Sequence, residues 1–312
     1  MSTIIEKIIA THSINDVVVP GEIADVKIDV RLARDFGGAN VVKNMINNGL
    51  LPEDSSKTFF TFDCNPSGSD QKFAANQHAC RLYARDYNIP VFDIDSGIGT
   101  HQAIDKGLAT PGSSLVSTDS HANLLGAIGA FGQGMGDRDI AAAWSRGSVW
   151  FKVPESIKII FSGSRPEYLH AKDIVLNMLK HFGANTLLGY SIELEGEAIE
   201  NLSLDERITV SSMATEMGAI ALFIPPSSEI VKYCAEKSGK KCSKIMADED
   251  ASYSSTYHFD IEDYYPAVAL PGKPQNVVPV KDVQGTKIDS VFIGSCTNGR
   301  LEDMQIAANI LK

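Results

Sequence analysis

Apolar and polar positions alternate along the chain with two different periods. Compact apolar runs such as TFFTF and SIKIIFSG are typical of strands that are buried on both faces. Between such runs lie segments with apolar residues at helical spacing, such as SDQKFAANQHACRLYARDY and KDIVLNMLKHFG. Strands that alternate with helices predict an α/β fold with mainly parallel sheets flanked by helices.

A change of texture near Pro154 divides this pattern. We expect a first α/β domain over residues 1–154, a second over 155–284, and the start of a third over 285–312. Residues 238–284 are rich in Ser, Lys, Tyr, Pro and Gly and predict a long connection. One strand and one helix cannot bury a core, so we expect the third domain to be incomplete.

Composition and charge exclude several classes of protein. The 312 residues carry a formal net charge of −11 without a long acidic run, which argues against nucleic-acid binding. No apolar stretch is long enough for a transmembrane helix, and the first residues, MSTIIEKIIATHS, predict an amphipathic helix and not a signal peptide. We therefore expect a cytoplasmic protein that does not enter membranes.

Several polar residues lie where predicted strands give way to loops. In an open α/β sheet the carboxyl ends of the strands line the ligand crevice, so we expect these residues to converge. They are Asp63 after TFFTF, His101 in the loop SGIGTHQ, Asp119, Ser120 and His121 after SLVST, and Cys296 after VFIG.

The two histidines of this set need partners before they can serve in proton transfer. We expect Asp119 to orient His101, and Glu216 in MATEMGA to pair with His121. Buried His–carboxylate pairs hold an imidazole ready for proton transfer or for a hydrogen bond to a carboxylate substrate. In a purely structural alternative, Asp119 and Ser120 cap the helix that follows, and both interpretations can hold together.

The glycines of GAIGAFGQGMG raise the question of a nucleotide site. Their spacing is not G-x-G-x-x-G, and the segment does not directly follow a strand. Small residues at intervals of three or four positions are typical of a closely packed helix. We therefore predict a helix in this segment and no dinucleotide site.

Cys296 allows three chemical roles that the residues alone do not separate. It lies at a turn before a predicted helix, where a thiolate is favoured. That position suits a nucleophile, a metal ligand or an iron–sulfur ligand. The five cysteines include no Cys-x-x-Cys pair, and their odd number argues against a disulfide framework.

Several segments, taken in order, resemble the aconitase superfamily. The resemblance is nearest to the branch that holds the large subunits of 3-isopropylmalate dehydratases and the homoaconitases, and it runs over essentially the whole chain. The combination of GSCTN with DSH is specific. The matching segments are SGIGTHQ, TDSHA, AKDIVL, LSLDERITVSSMATEMGA and NVVPVKDVQGTKIDSVFIGSCTNGRLEDM.

This resemblance implies an aconitase-like arrangement of three domains and a hydro-lyase acting on a hydroxy dicarboxylate. In the nearest branch the reaction interconverts 3- and 2-isopropylmalate through isopropylmaleate, in leucine biosynthesis. The resemblance further implies a separate small subunit with the swivelling domain, and a 4Fe–4S cluster whose open iron acts as a Lewis acid. Cys296 matches the first of three cluster cysteines. The other two are expected beyond residue 312, so we expect this chain alone to be inactive.

Carried over by position, the resemblance also implies roles for the polar residues. His101 with Asp119, and His121 with Glu216, match catalytic His–carboxylate pairs, and Asp63 belongs to a third pair. The residues implied to bind substrate are Ser120, Arg34 and Asn298.

Three positions depart from the family's pattern. Cys64 follows Asp63 where a histidine is usual, and a thiol is a weaker general acid than an imidazolium at neutral pH. Arg34 replaces a smaller amide or imidazole, and Ser212 replaces an asparagine. These departures leave two alternatives open. One is a paralogue for another malate-like acid, such as homoaconitate or 2,3-dimethylmalate. The other is a cluster-free binding subunit.

Overall fold

The structure, a computed structural model, describes residues 1–67 and 69–312. Its strands form two parallel sheets and two small antiparallel pairs, which confirms the predicted α/β class. The strands are β1 (Ile23–Lys27), β2 (Val30–Arg34), β3 (Thr58–Thr61), β4 (Val91–Phe92), β5 (Ser114–Ser117), β6 (Phe131–Gly134), β7 (Ser148–Lys152), β8 (Ser156–Ser162), β9 (Ser191–Glu195), β10 (Ala221–Phe223), β11 (Ser255–Asp260), β12 (Ala267–Ala269) and β13 (Val277–Pro279).

Helices flank the sheets and account for most of the remaining regular structure. Several helices have a side chain that caps their first turn; Asp70 caps the third helix and Ser203 caps the eighth. The helices are α1 (Ile4–His12), α2 (Gly38–Asn47), α3 (Gln71–Tyr87), α4 (Gly99–Asp105), α5 (Asp137–Arg146), α6 (Ala171–Phe182), α7 (Glu197–Glu200), α8 (Leu204–Ser212), α9 (Ser228–Ser238) and α10 (Leu301–Leu311).

The first parallel sheet has five strands in the order β4–β3–β2–β5–β6 and is covered on both faces. Phe59 and Phe60 are neighbours on β3, and their side chains point to opposite faces. Phe60 packs edge-on against Trp144 of α5, with ring centroids 5.0 Å apart. Phe59 packs in a second core that includes Ala103 of α4. Burial on both faces explains why these strands read as continuous apolar runs.

The second parallel sheet has four strands in the order β10–β9–β8–β11 and its own apolar core. A 3-10 helix over Ala122–Ile128 lies between this sheet and the first one. A Cβ atom on Gly126 would lie 1.9 Å from the carbonyl oxygen of Leu222 in β10. Only glycine therefore lets this turn approach the second sheet so closely.

Two local predictions about secondary structure are wrong. His101 lies in helix α4 and not in a loop, because the carboxylate of Asp63 accepts a hydrogen bond from the first amide of that helix, Gly99 N, over 2.6 Å. The glycine-rich segment contains only the end of a 3-10 helix, Ala122–Ile128, and continues as strand β6, so no helix spans it. A Cβ atom on Gly132 would lie 1.9 Å from the Ala122 carbonyl oxygen, so its glycine serves strand packing.

The later part of the chain also differs from expectation. Residues 238–284 contain strand β11, which pairs in parallel with β8, and the antiparallel pair β12–β13. Residues 286–300, including VFIG, form an irregular segment, and Phe292 is 87% exposed. A strand needs a partner, which explains why an apolar run alone does not make one here. The division into domains at 154 and 284 stays a prediction.

Among the described residues, none of the helices combines the length and apolar character that crossing a bilayer demands.

Candidate active site

The carboxyl ends of strands β2, β3 and β5 bring three charged side chains together. Arg34 ends β2, Asp63 follows β3, and Asp119 follows β5. The Arg34 Nε donates to Asp63 Oδ1 over 2.8 Å, and its Nη1 lies 3.2 Å from Asp119 Oδ1. The two carboxylate side chains are only 3% and 2% exposed. The predicted convergence at this sheet edge is therefore present, with a guanidinium at its centre.

Arg34 is held as a permanent cation by this arrangement. Burial opposes its charge, but the carboxylates of Asp119 and Asp63 outweigh burial and raise the pKa of the guanidinium above its ordinary value.

The predicted pairing of His101 with Asp119 is not formed in the part of the chain that the structure describes. Asp119 accepts hydrogen bonds from the Thr100 hydroxyl at 2.9 Å and from His121 N at 3.1 Å, besides its ion pair with Arg34. Because both oxygens of Asp119 are engaged, its carboxylate orients the first turn of helix α4 through Thr100 and not the imidazole of His101. The bond to His121 N is a local contact within the turn, and the 3-10 helix over Ala122–Ile128 begins at His121 without a side-chain cap, so the capping role expected for Asp119 and Ser120 is not formed.

His101 instead contacts the segment around Cys296. Its Nε2 lies 2.7 Å from the Cys296 carbonyl oxygen, and its Nδ1 lies 3.1 Å from Arg300 Nη1. The side chain is buried, and burial, together with the positive charge of Arg300, lowers the pKa of His101. His101 is therefore a neutral imidazole near pH 7.

His121 lies beside Glu216, its predicted partner, and beside Ser120 and Cys296, which were expected only at the same sheet edge. Its Nε2 lies 3.4 Å from Glu216 Oε1, while its Nδ1 lies 3.3 Å from the Ser120 hydroxyl and 3.9 Å from Cys296 Sγ. The contact with Cys296 comes first among the causes that raise the pKa of His121, and Asp119 and Glu216 add to it against burial. An imidazole held between a carboxylate and a hydroxyl can carry a proton at Nδ1 or donate it to a bound carboxylate.

The turn that carries Cys296 is anchored by its own polar residues. Asn298 Nδ2 donates to Thr209 Oγ1 on α8 at 3.0 Å and to Asp303 Oδ1 at 2.6 Å. The side-chain amide of Asn298 therefore anchors the turn to helices α8 and α10. Its predicted contact with substrate stays a prediction.

The cysteines differ in whether their thiols could bind an iron–sulfur cluster. Cys80 and Cys234 are buried in apolar cores, while Cys296 is partly exposed beside His121. Soft thiolate ligands suit an iron–sulfur cluster. Cys296 fits one ligand position of such a cluster. The sequence has no Cys-x-x-Cys to supply two more.

Cys64, which stands at the usual histidine position, points into the acidic cluster. Its amide donates to Asp35 Oδ1 at 3.1 Å, and its Sγ lies 3.5 Å from Asp63 Oδ1. Burial, with the nearby carboxylates adding to it, raises the pKa of the Cys64 thiol. Cys64 is thus a neutral thiol near pH 7. Ser212 is fully buried and donates to the Thr209 carbonyl oxygen at 3.0 Å, which places it in the α8 core.

Sequence reasoning missed Arg300, which joins three elements around the Cys296 turn. The available indication was its place in GSCTNGRLEDM, where it precedes helix α10 directly. Its partners were not apparent, because Asp105 and Asp205 lie far from it in sequence.

Comparison with known proteins shows the family of the chain. The family described as "Aconitase family (aconitate hydratase)" matches residues 6–312. A 3-isopropylmalate dehydratase large subunit of Sulfurihydrogenibium sp. is 38% identical over 99% of this chain and 73% of its own length. Those of Halothermothrix orenii and Pyrococcus abyssi (large subunit 1) are 38% and 36% identical, and the chain covers 74% of each.

Among solved structures, aconitase X of Thermococcus kodakaraensis (holo-form) shares 12% identity over 77% of this chain and 58% of its own, with a TM-score of 0.43. That likeness is too distant to bear on the site. The family match over residues 6–312 and the relatives at 36–38% identity agree with the resemblance inferred from the motifs. The chain belongs to the aconitase family.

Proposed function

We propose that this protein is the large subunit of an iron–sulfur hydro-lyase that interconverts 3- and 2-isopropylmalate in leucine biosynthesis. The observation that carries the proposal is the setting of His121, whose two nitrogens face Glu216 on one side and Ser120 with Cys296 on the other. The relatives named above, all 3-isopropylmalate dehydratase large subunits, supply the substrate class.

In this proposal Cys296 holds one iron of a 4Fe–4S cluster, and the remaining thiolate ligands come from outside the 312 residues. When bound, such a cluster supplies a Lewis acid for the hydroxyl and a carboxylate of the substrate. The separate small subunit that the relatives' names imply completes the site over the exposed Ser120.

The chain's own residues bind, orient and move protons. Glu216 accepts from Nε2 of His121 and so holds its ring, while Nδ1 faces the substrate side and carries the proton. Ser120 offers a hydroxyl beside that nitrogen. Arg34 provides a positive charge for an anionic substrate, and Asp63 and Asp119 fix the direction of its guanidinium.

The departures at Cys64 and Arg34 support the second candidate, a paralogue for another malate-like acid. A neutral thiol beside Asp63 is a poor proton donor for a leaving hydroxyl. The shared name of the relatives favours isopropylmalate, so the other acids serve as competitors in the test.

The test joins this chain, as it stands, to the C-terminal segment of the Sulfurihydrogenibium relative and supplies that relative's small subunit. After anaerobic reconstitution with iron and sulfide, hydration of isopropylmaleate is followed by loss of its ultraviolet absorbance. We expect a cluster and turnover in the fusion, and neither in the 312-residue chain alone.

Matched variants make the test specific. Cys296→Ser should lose the cluster signal, whereas Cys242→Ser should keep it. Glu216→Gln should lower kcat by about 10²-fold or more, the size of a general acid–base contribution, and Glu229→Gln on exposed α9 should not. Turnover only on homoaconitate or dimethylmaleate would replace the substrate. Failure to form a cluster in the fusion would favour the binding-subunit alternative.

A further inference from the structure

Thr215 joins the two segments that carry the His121–Glu216 pair. His121 follows strand β5 of the first sheet, whereas Glu216 lies in a short 3-10 helix, Thr215–Met217, between α8 and strand β10 of the second sheet. The Thr215 hydroxyl crosses between the segments and donates to the Ser120 carbonyl oxygen at 2.9 Å. In the part of the chain that the structure describes, no other group donates to that oxygen. The main chain beside His121 is therefore tied to the segment that holds Glu216.

The direction of this hydrogen bond also determines how Thr215 contacts Asn123. A hydroxyl has one proton, and Thr215 gives it to a carbonyl oxygen, which can only accept. The Thr215 oxygen must therefore accept from Asn123, whose Nδ2 lies 2.8 Å away. The amide oxygen of Asn123 is buried and has no hydrogen-bond partner among the described residues. Because buried polar atoms are usually paired, the unpaired oxygen indicates that this amide is held in place by its contact with Thr215.

The pair that these contacts support is itself loosely held. His121 Nε2 lies 3.4 Å from Glu216 Oε1, beyond the usual length of a hydrogen bond, and the Glu216 side chain is 34% exposed. A contact of this length contributes little to fixing the separation of its own partners. That separation depends on the two main chains, which the Thr215 hydroxyl joins one residue away from each partner.

We propose that Thr215 is a positioning residue, whose hydroxyl holds Ser120 and His121 against Glu216 in the arrangement that proton transfer requires. The inference rests on the proposed function for the meaning of that arrangement. The link between the two segments belongs to the chain itself.

The first test uses the 312-residue chain without cluster or substrate, so failure of the proposed hydration activity would not affect it. Thr215→Val removes the hydroxyl and keeps a side chain of similar shape. Amide hydrogen exchange in peptides that span residues 118–124 and 213–219 should become about tenfold faster, the factor that corresponds to loss of one hydrogen bond. Thr215→Ser keeps the hydroxyl and should show the natural rates.

Thr58→Val is the matched control for this measurement. The Thr58 hydroxyl also donates to a main-chain carbonyl oxygen, that of Asp54 at 2.9 Å. Thr58 begins strand β3, at the end opposite to the one that Asp63 follows. The variant removes the same kind of contact and should leave exchange in both peptides unchanged.

A second test uses the reconstituted fusion and asks whether Thr215 acts through the His121–Glu216 pair. Thr215→Val should lower kcat for hydration of isopropylmaleate by about tenfold, and Thr215→Ser should not. In a Glu216→Gln background the same change should lower kcat by less than about twofold, because the carboxylate that Thr215 positions has been removed. A residue with only a structural role would cost the same factor in both backgrounds.

Three outcomes would overturn the inference. They are natural exchange rates in Thr215→Val, faster exchange in Thr215→Ser as well, and an equal loss of kcat in the two backgrounds. A fusion without activity would contradict the proposed function, and the exchange rates would then decide on Thr215 alone. If Thr215→Val does not fold, Thr215→Ala replaces it, since it removes the same hydroxyl without adding a methyl group.

Discussion

Arg34 and Asp63 form a nearly buried ion pair, with Arg34 Nε 2.8 Å from Asp63 Oδ1. The other oxygen of Asp63 accepts from Gly99 N, so the pair also fixes the start of the helix that carries His101. In this chain the cation beside Asp63 is therefore an arginine that reaches from the neighbouring strand. Its charge does not depend on pH near neutrality, unlike the charge of an imidazole.

Arg34→Gln should destabilise the protein by about 3–5 kcal/mol, because it leaves two buried carboxylates without their cation. Urea unfolding near pH 7 measures the change. Arg85→Gln serves as control, since the Arg85 side chain is 72% exposed and its pair with Asp86 contributes at most about 1 kcal/mol. Equal losses in the two variants would mean that the Arg34 cluster is not a stabilising unit.

Cys64→His should raise kcat of the reconstituted fusion by about 10²-fold and add a titrating group to its pH–rate profile. The reason is that the thiol, whose pKa burial raises, is a poor proton donor beside Asp63, whereas an imidazolium is a good one. Steady-state hydration of isopropylmaleate measures the effect, with Cys242→His as control. A kcat that stays unchanged would show that Asp63 and its neighbour take no part in the proton transfer.

Glu193→Gln should change how stability depends on pH. Glu193 is fully buried and accepts from Ile4 N at 2.7 Å and from the Tyr253 hydroxyl at 2.8 Å, and burial raises its pKa from 4.5 to about 7. The folded protein thus binds this proton more tightly than the unfolded chain. The resulting stability is complete below about pH 4.5 and is lost as the pH rises through about 7, a change on the order of 3 kcal/mol.

Urea unfolding at several pH values between about 5 and 8 measures this dependence. The natural chain should lose stability across that range, and Glu193→Gln should lose less. Glu229→Gln, on an exposed position of α9, should follow the natural chain. Parallel curves for Glu193→Gln and the natural chain would show that Glu193 titrates normally in the fold.

Asp29→Asn should lower the pKa of His12 below its ordinary value. Burial by itself lowers this pKa, but the hydrogen bond to Asp29, with Nε2 2.7 Å from Oδ2, raises it overall. Without the carboxylate, burial should dominate. The ring proton signals of His12 in an NMR titration report the change. Asp25→Asn is the control, because Asp25 accepts from Ser148; if it moved His12 equally, the effect would be one of general charge.

Much of this architecture follows from local patterns, and some of it does not. The strands predicted from TFFTF and SLVST are present, because a strand that is buried on both faces has a continuous apolar run in its sequence. VFIG has the same texture but lies in an irregular segment, since a strand also requires a neighbour, which no local pattern reveals.

The candidate site shows the same division. His121 with Glu216 was correctly predicted as a pair, because family motifs carry both residues. The predicted partner of His101 was wrong, since Arg34 and Thr100 compete for the same carboxylate of Asp119. Such competition depends on distances between strands and helices, and spacing along the sequence does not contain them.

The order of the strands has a consequence for how the chain folds as it is synthesised. The first sheet is complete once β6 has been made, but β8 must wait for β11, almost a hundred residues later, to cover its edge. Helix α1 is made before both sheets, yet its first amide bonds to Glu193 in the second one. Helix α1, which precedes the strands of both sheets along the chain, is therefore among the last elements to reach its place, and until then its apolar face needs protection from aggregation.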